Sequence, residues 1–255
     1  MRKDFDLTCS NYGTVRNMKY DMAILPWGAT EPHNLHLPYL TDSILSHDIA
    51  VASAEMAFMK HGVRCMVLPP VNFGSQNPGQ QELPFCIHSR YETQRAILED
   101  IVMSLARQGL SKLLIINGHG GNVFKNMIRD IYCIFPDFTI ASSEWYRICR
   151  ASDFFDSPGD HADELETSVM MHFHPDLVNI DEAGEGKSGG FIPKLLNEGK
   201  VWIPRHWSKV SNDTGIGNPS KATAEKGKKF AKTVIEEYCV FLNEFVKGGL
   251  YIKEF

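Results

Sequence analysis

Leu113-Leu114-Ile115-Ile116, running into Asn117-Gly118-His119-Gly120-Gly121-Asn122, is the stretch on which the reading of this chain turns. Four bulky apolar residues with no polar alternation predict a short strand buried on both faces, as in a covered parallel sheet. Working outward, Tyr91 to Arg107 predicts a helix with apolar positions Ile97, Ile101, Val102 and Leu105, ended by Gly109. Past the glycines, a helix runs to Ile134, and Phe138-Thr139-Ile140-Ala141 predicts a further strand. Farther upstream, Met22-Ala23-Ile24-Leu25 predicts a strand ending at Pro26. Ile44 to Met59 predicts a helix stopped by Gly62, and Cys65-Met66-Val67-Leu68 another strand. Glycine is the usual residue just past a helix end. Residues 176–220, rich in Gly, Pro and Asn, predict loops over the core, and Ala222 to Val246 a closing amphipathic helix. Short apolar strands alternating with helices predict an α/β fold, a mostly parallel sheet with helices on both faces. Without an internal repeat or linker, residues 1–255 are expected to form a single domain.

The composition is ordinary for a globular protein, with 43% hydrophobic and 22% charged residues among 255. A chain of this length buries enough surface to fold without a structural metal or disulfide, so a metal site here is expected to be catalytic. With 26 Lys and Arg against 31 Asp and Glu, the net charge of −5 gives no electrostatic case for nucleic acid. No apolar run approaches the ~20 residues of a membrane span, and the charged start at Met1-Arg2-Lys3-Asp4 does not read as a signal peptide. The six cysteines are scattered without a Cys-x-x-Cys pair, which excludes a zinc ribbon and fits a reducing cytoplasm.

Open α/β sheets bind ligands beyond the carboxyl ends of their strands. Metal-capable residues fall there: Glu31, His33, His36 and Asp42 after the first strand, His119 after the third, and Glu144 followed by Asp160-His161-Ala162-Asp163-Glu164-Leu165-Glu166 after the fourth. Mixed imidazole and carboxylate ligands suit Zn, Mn or Fe, whereas Ca takes oxygen alone. Each piece has a plain structural alternative. Asp42 could cap the following helix, unless Thr41 does so and frees it. His161 could be a helix-start residue paired with Glu164. Two glycine-rich stretches bear on nucleotide binding. In Gly118-His119-Gly120-Gly121-Asn122-Val123, Val123 stands where a dinucleotide fingerprint needs its third glycine. Gly186-Lys187-Ser188 lacks the earlier glycine of a P-loop, because Asp181 is there.

Three segments in order resemble the creatininase (creatinine amidohydrolase) family. Pro26-Trp27-Gly28-Ala29-Thr30-Glu31-Pro32-His33-Asn34-Leu35-His36-Leu37-Pro38, then Thr41-Asp42, is similar to Pro-x-Gly-Ser-x-Glu-Gln-His-Gly-x-His-Leu-Pro, then Thr-Asp. Asn117 to Asn122 matches the common family version. His161-Ala162-Asp163-Glu164-Leu165-Glu166-Thr167-Ser168 resembles His-Ala-Gly-Glu-x-Glu-Thr-Ser. The resemblance implies a three-layer creatininase-like fold and two divalent metal ions, Zn foremost, with Mn or Fe as alternatives. Glu31, Asp42 and His119 would hold one ion, and His33 with the bridging Asp42 the other. Creatininase supplies a further Glu two residues after the His of the second motif. Gly121 stands there, so Glu166 is the candidate replacement ligand. His161 would be the catalytic acid, oriented by Asp160 or Glu164. The implied reaction is hydrolysis of a non-peptide C–N bond, in a cyclic amide or formamide, by a metal-activated bridging hydroxide. The alternatives are a nucleotide-binding protein using the Gly118–Gly121 turn and a catalytically idle metal-binding member. The implied partners are a small-molecule amide substrate and other copies of the chain, as a hexamer, with neither nucleic acid nor membrane.

Departures from the family pattern point to a rebuilt pocket. Asn34 and Asp163 replace usual glycines, and Gly120 and Ser157 stand where creatininase has an aromatic residue and a Trp. Ser75-Gln76-Asn77-Pro78-Gly79-Gln80-Gln81 departs from the usual His-x-x-Phe-Pro-Gly-Thr run. Creatinine itself is therefore not the expected substrate. Trp145 reads either as a pocket aromatic or as core. Trp202, Ile203, Pro204 and Trp207 read as an apolar interface or as a cover for the chain's own core.

Overall fold

The computed structural model of the chain describes residues 2–157 and 159–252. In chain order its helices and strands are α1 (Tyr12–Val15), β1 (Met22–Trp27), α2 (Thr41–His61), β2 (Cys65–Val67), α3 (Tyr91–Arg107), β3 (Lys112–Asn117), α4 (Lys125–Ile134), β4 (Thr139–Glu144), α5 (Glu164–Phe173), α6 (Lys194–Asn197), α7 (Trp207–Val210) and α8 (Ala224–Lys247). The strands form one parallel sheet in the order β2-β1-β3-β4. Alternate residues of the central strands feed two cores. Leu25, Trp27, Leu113 and Ile115 pack with Leu98 and Val102 of α3 and Met127 and Ile131 of α4. Met22, Ile24, Leu114 and Ile116 pack on the other side with Leu45 and Ile49 of α2, Val169 of α5 and Phe230, Val234 and Leu242 of α8. The result is the expected three-layer α/β arrangement, and burial on both faces explains why these strands show no polar alternation.

Boundaries differ from expectation where local chemistry overrides pattern. β1 continues through Pro26. Its neighbour β2 has ended by then, and the Pro26 carbonyl instead accepts from Val71 N–H at 3.0 Å. β4 runs on to Glu144 through Ser142 and Ser143, because an edge strand is only half covered. α2 starts at Thr41, and neither Thr41 nor Asp42 is its cap. The N-cap position is Leu40, with no side-chain bond, and the Thr41 hydroxyl donates to the Pro38 carbonyl at 2.7 Å. Gly62 closes α2 with φ of 71°, as expected. Among the described residues no helix is long and apolar enough to cross a membrane.

The chain leaves β1 toward β2 on one side, then returns past β1 to place β3 on the other. Between β1 and β3 the order reverses, and the crevice beyond such a reversal is where open parallel sheets bind ligands. Glu31 to Asp42 follow β1, and His119 follows β3.

Candidate functional site

At that crevice the structure gathers Glu31, His33, Asp42, His119, His161 and Glu166. Three overlapping groups have ligand-capable atoms within 4.8 Å of one another: Glu31 with Asp42 and His119, His33 with Asp42 and Glu166, and Glu31 with His33 and His161. Asp42 is common to the first two. It points into the crevice because it lies in the first turn of α2, directly below the end of β3. The backbones there nearly touch, since a Cβ on Gly118 would lie 2.3 Å from the Asp42 carbonyl oxygen.

The orientation of the imidazoles identifies the chemistry. Each has one ring nitrogen against a backbone carbonyl, which can only accept, so that nitrogen carries hydrogen. His33 Nδ1 donates to the Glu31 carbonyl at 3.0 Å. His119 Nε2 donates to Ser75 at 2.7 Å, and His161 Nε2 to Pro32 at 2.8 Å. When the rings are neutral, as ligands of a cation must be, the other nitrogen presents a lone pair to carboxylate oxygens, and without a cation a proton takes that place. His33 Nε2 lies 3.0 Å from Asp42 Oδ1. His119 Nδ1 lies 2.9 Å from Glu31 Oε1 and 3.3 Å from Asp42 Oδ2, and His161 Nδ1 lies 3.7 Å from Glu31 Oε1. Lone pairs of both partners converge on shared points, which calls for cations between them. Anchoring of the outer nitrogen is the usual support of a metal-bound histidine. Asp42 Oδ2 makes no hydrogen bond despite full burial, consistent with the same role. The donor set of imidazole and carboxylate fits Zn, Mn or Fe.

The electrostatics agree. Burial alone would push His33 down, but the Asp42 carboxylate against it outweighs this and lifts the imidazole to about 10. His119 is raised likewise, against its burial, chiefly by Glu31 and then Asp42. Burial works to raise Glu31 and Asp42, yet the facing histidines hold both carboxyls below the ordinary range. Glu166 is pushed up to about 8, by burial first. The cluster thus draws positive charge toward its carboxylates, as a cation site must. His161 goes the other way, lowered by burial and then by the charge of His33, whose ring centroid lies 4.3 Å away, tilted by 38°.

Two residues expected to orient His161 are elsewhere. Glu164 is fully buried, but its carboxylate accepts from Ser157 N–H at 2.6 Å and pairs with Lys226 of α8. Asp160 turns to the cavity mouth and pairs with Arg205. His161 is held instead by Pro32 and by the Trp207 ring, edge-on at 5.3 Å. His36 is not a ligand either. Its Nε2 meets the Thr167 hydroxyl at 2.8 Å, and burial lowers its ring to about 4. Glu144 pairs with Arg147 at 3.0 Å. Trp145 is core, packed between Tyr146 and Phe230.

The departures from the family motifs have local reasons. A Cβ on Gly121 would lie 2.1 Å from the Ser75 carbonyl oxygen and 2.5 Å from His119 Nε2, so no glutamate fits there. Asn34 keeps the left-handed φ of 54° of a glycine position, which Asn tolerates better than most residues. Asp163 is the N-cap of α5, accepting from Glu166 N–H at 3.0 Å. Aromatic residues reach the site from other segments: a Cβ on Gly120 would lie 3.6 Å from the Tyr146 hydroxyl, and the Trp207 ring meets His161 edge-on. Trp207 was not legible as a site residue, and neither was Gln80. The latter is buried and donates from Nε2 to Glu31 Oε2 at 2.6 Å. The Gly118–Gly121 turn is packed by Asp42 and Ser75 beside buried carboxylates, a poor cradle for phosphates. A cavity of about 730 Å³ opens over the cluster, walled by Gln76, Tyr146, Trp202, Arg205 and Trp207.

The creatininase family model, described as creatinine amidohydrolase, matches residues 6–242. The chain belongs to the creatininase family. A solved Bacteroides fragilis structure, provisionally named a creatinine amidohydrolase, is 58% identical, covers 99% of this chain and 100% of that one, and superposes with a TM-score of 0.97. The mycofactocin precursor peptide peptidase of Mycobacterium ulcerans is 28% identical over 228 residues, covering 85% of this chain and 82% of the peptidase. The creatinine amidohydrolase of Pseudomonas putida is 24% identical over 238 residues, with 85% of each chain covered. The creatininase fold, a hydrolase family and a set of metal-capable residues are therefore in place together.

Proposed function

We propose that this chain, acting as one domain, is a metal-dependent amidohydrolase that cleaves the C–N bond of a small non-peptide amide, of the cyclic amide or formamide class. The observation that carries the reading is the orientation of three imidazoles. Each is fixed by a carbonyl at one nitrogen and aims the other at shared, buried carboxylates. Glu31, Asp42 and His119 would hold one divalent ion, and His33, Asp42 and Glu166 a second, with zinc the expected metal and manganese or iron accepted by the same donors. Two such ions supply a nucleophilic water at neutral pH and stabilise charge on a carbonyl oxygen.

The protein's own groups do the rest. Gln80 fixes the second oxygen of Glu31, so that carboxylate keeps a single aim. Trp207, buried edge-on against His161, forms an apolar wall at the site, and the exposed Trp202 lines the cavity farther out. A departing nitrogen is a poor leaving group without a proton, and His161 Nδ1, a free lone pair facing the cluster in the neutral ring, is the atom placed to take a proton from the attacking water and pass it to that nitrogen. The cavity is large enough for a small molecule of a few rings. Assembly into a homo-oligomer, a hexamer by family likeness, and a cytoplasmic location belong to the same reading. All six cysteines are free, in keeping with the latter.

The test joins metal content to turnover. Protein prepared without chelator is expected to carry two transition ions per chain and to hydrolyse members of a panel of lactams, cyclic ureides and formamides. Metal without turnover on any member would favour an idle metal-binding protein. Cleavage of a peptide instead would favour a second reading, which the Mycobacterium ulcerans relative supports.

A further inference from the structure

With the floor of the cavity committed, the charge left on its walls is basic. Glu31, Asp42 and Glu166 belong to the ligand cluster, and the Asp163 carboxylate is taken by the N–H groups of Glu166 and Gly159. The other formally charged side chains of the lining are Arg147, Arg205 and Asp160, two cations against one anion in a chain of net charge −5. Arg147 is 69% exposed and paired with Glu144, so it belongs to the rim. Arg205 is more firmly placed, yet its side chain is 35% exposed and accessible. Its guanidinium carbon stands 5.0 Å from the Trp207 ring centroid. Trp207 is itself pinned, its backbone N–H on the Pro78 carbonyl at 2.7 Å and its Nε1 on the Thr214 carbonyl at 3.0 Å. Of the Arg205 donors, only Nη2 has a protein partner among the described residues, Asp160 Oδ2. One N–H pair of the fork is therefore free. An ion pair this exposed adds little to stability, so Asp160 is readily displaced or joined by a second acceptor.

We infer that Arg205 is a specificity-determining residue that selects amides carrying a carboxylate near the scissile bond. A guanidinium fork meets the two oxygens of a carboxylate through two parallel hydrogen bonds, and an aromatic face beneath it holds the fork in place before the ligand arrives. The indole that carries Arg205 also meets the His161 ring edge-on at 5.3 Å. The anion site and the reacting end of the cavity are thus one indole apart. That separation suits a carboxylate one or two carbons from an amide lying over the ligand cluster. Asp160 beside the fork acts as its resident counter-ion and competes with the ligand for it.

This deepens the amidohydrolase reading and rests on it for the reaction, but not for binding. The test is calorimetric titration of metal-loaded protein, at low salt, with two matched pairs: dihydroorotate against dihydrouracil, and N-formylglycine against N-formylglycinamide. In each pair the carboxylate member is expected to bind roughly tenfold tighter or more. Arg205→Gln should erase that difference at the same metal content. Arg205→Lys should keep part of it, because a point charge lacks the fork. Asp160→Asn should widen it by removing the competing carboxylate. Where a pair is turned over, the difference should lie in KM and disappear from KM in Arg205→Gln, the mark of an interaction equal in ground and transition states. A carboxylate member that binds no better than its neutral partner would overturn the inference, as would weaker binding of the acids by Asp160→Asn. A preference that survives Arg205→Gln would also overturn it and assign the anion to the cavity floor. Loss of metal from both Arg205 variants would overturn it by making the residue a structural prop. An Arg205-dependent preference without any hydrolysis would leave it standing while removing the amidohydrolase reading. Hydrolysis of both members of a pair with the same KM would do the reverse.

Discussion

Asp42 is the residue on which both proposed ion positions depend, with Oδ1 on His33 and Oδ2 toward His119. Asp42→Ala is therefore expected to lose both ions, whereas His33→Ala keeps the one held by Glu31 and His119. Elemental analysis of the two purified variants checks this, and one ion retained in Asp42→Ala would reject the bridging role. His161 is the other residue with a specific expectation. With five other ligands at hand, His161→Ala should keep both ions and lower kcat by roughly 10²–10⁴-fold, the usual worth of a general acid. Its Nδ1 also lies within ligand range of Glu31 and His33. Loss of an ion from the variant would thus make His161 a ligand and pass the acid role to another group.

At the scale of elements, the site depends on how the loop after β2 lies on the turn after β3. Ser75 donates to Asn122 Oδ1 at 3.2 Å and accepts from His119, over a turn that has no side chain at Gly121. Gly121→Ala should force the loop off, at a cost of about 1–3 kcal/mol for overpacking, and weaken metal retention by freeing the His119 ring. Denaturant unfolding with and without chelator separates the two effects. A second contact joins the loop after β1 to α5, where the buried His36 ring bonds Thr167. Burial first, then the charge of His33, lowers His36 to about 4, against an ordinary 6.5. The folded protein then binds fewer protons than the unfolded chain between those values, so stability falls as pH drops from about 6.5 toward 4. Unfolding midpoints at pH 7.5 and 5 should show a smaller acid loss for His36→Gln than for the parent. These contacts also mark what a sequence can disclose. The apolar runs at 22–25 and 113–116 and the helices from Tyr91 and Lys125 follow from local periodicity, and the ligand residues follow from motifs beside strand ends. The partners of Gln80, Trp207 and Glu164 were not legible, because each lies 49, 46 or 62 residues from the group it serves, across a fold whose packing no local pattern encodes.

For the whole molecule, one of the stretches that the sheet and its two cores leave uncovered lies beside the site. Ile192 is 100% exposed and Trp202 79%, with Leu195 and Ile203 beside them in a segment of short turns and the four-residue α6. Trp207, expected in the same group, is instead buried against His161, so the segment divides into an inner end at the site and an outer apolar end. Clustered apolar side chains in water favour association, and a patch of this kind marks an interface. The chain is therefore expected to sediment as a homo-oligomer at micromolar concentration, with Ile192→Asp shifting it toward smaller species. Because Trp202 also lines the cavity, assembly through this segment would be coupled to the site. A Trp202→Ala variant that stays assembled but binds substrate more weakly would assign it to the cavity wall. Loss of both properties together would mean that the wall is completed only in the oligomer. A clean monomer for the parent chain would remove the interface and leave these side chains as the solvent-facing rim of a site that works alone.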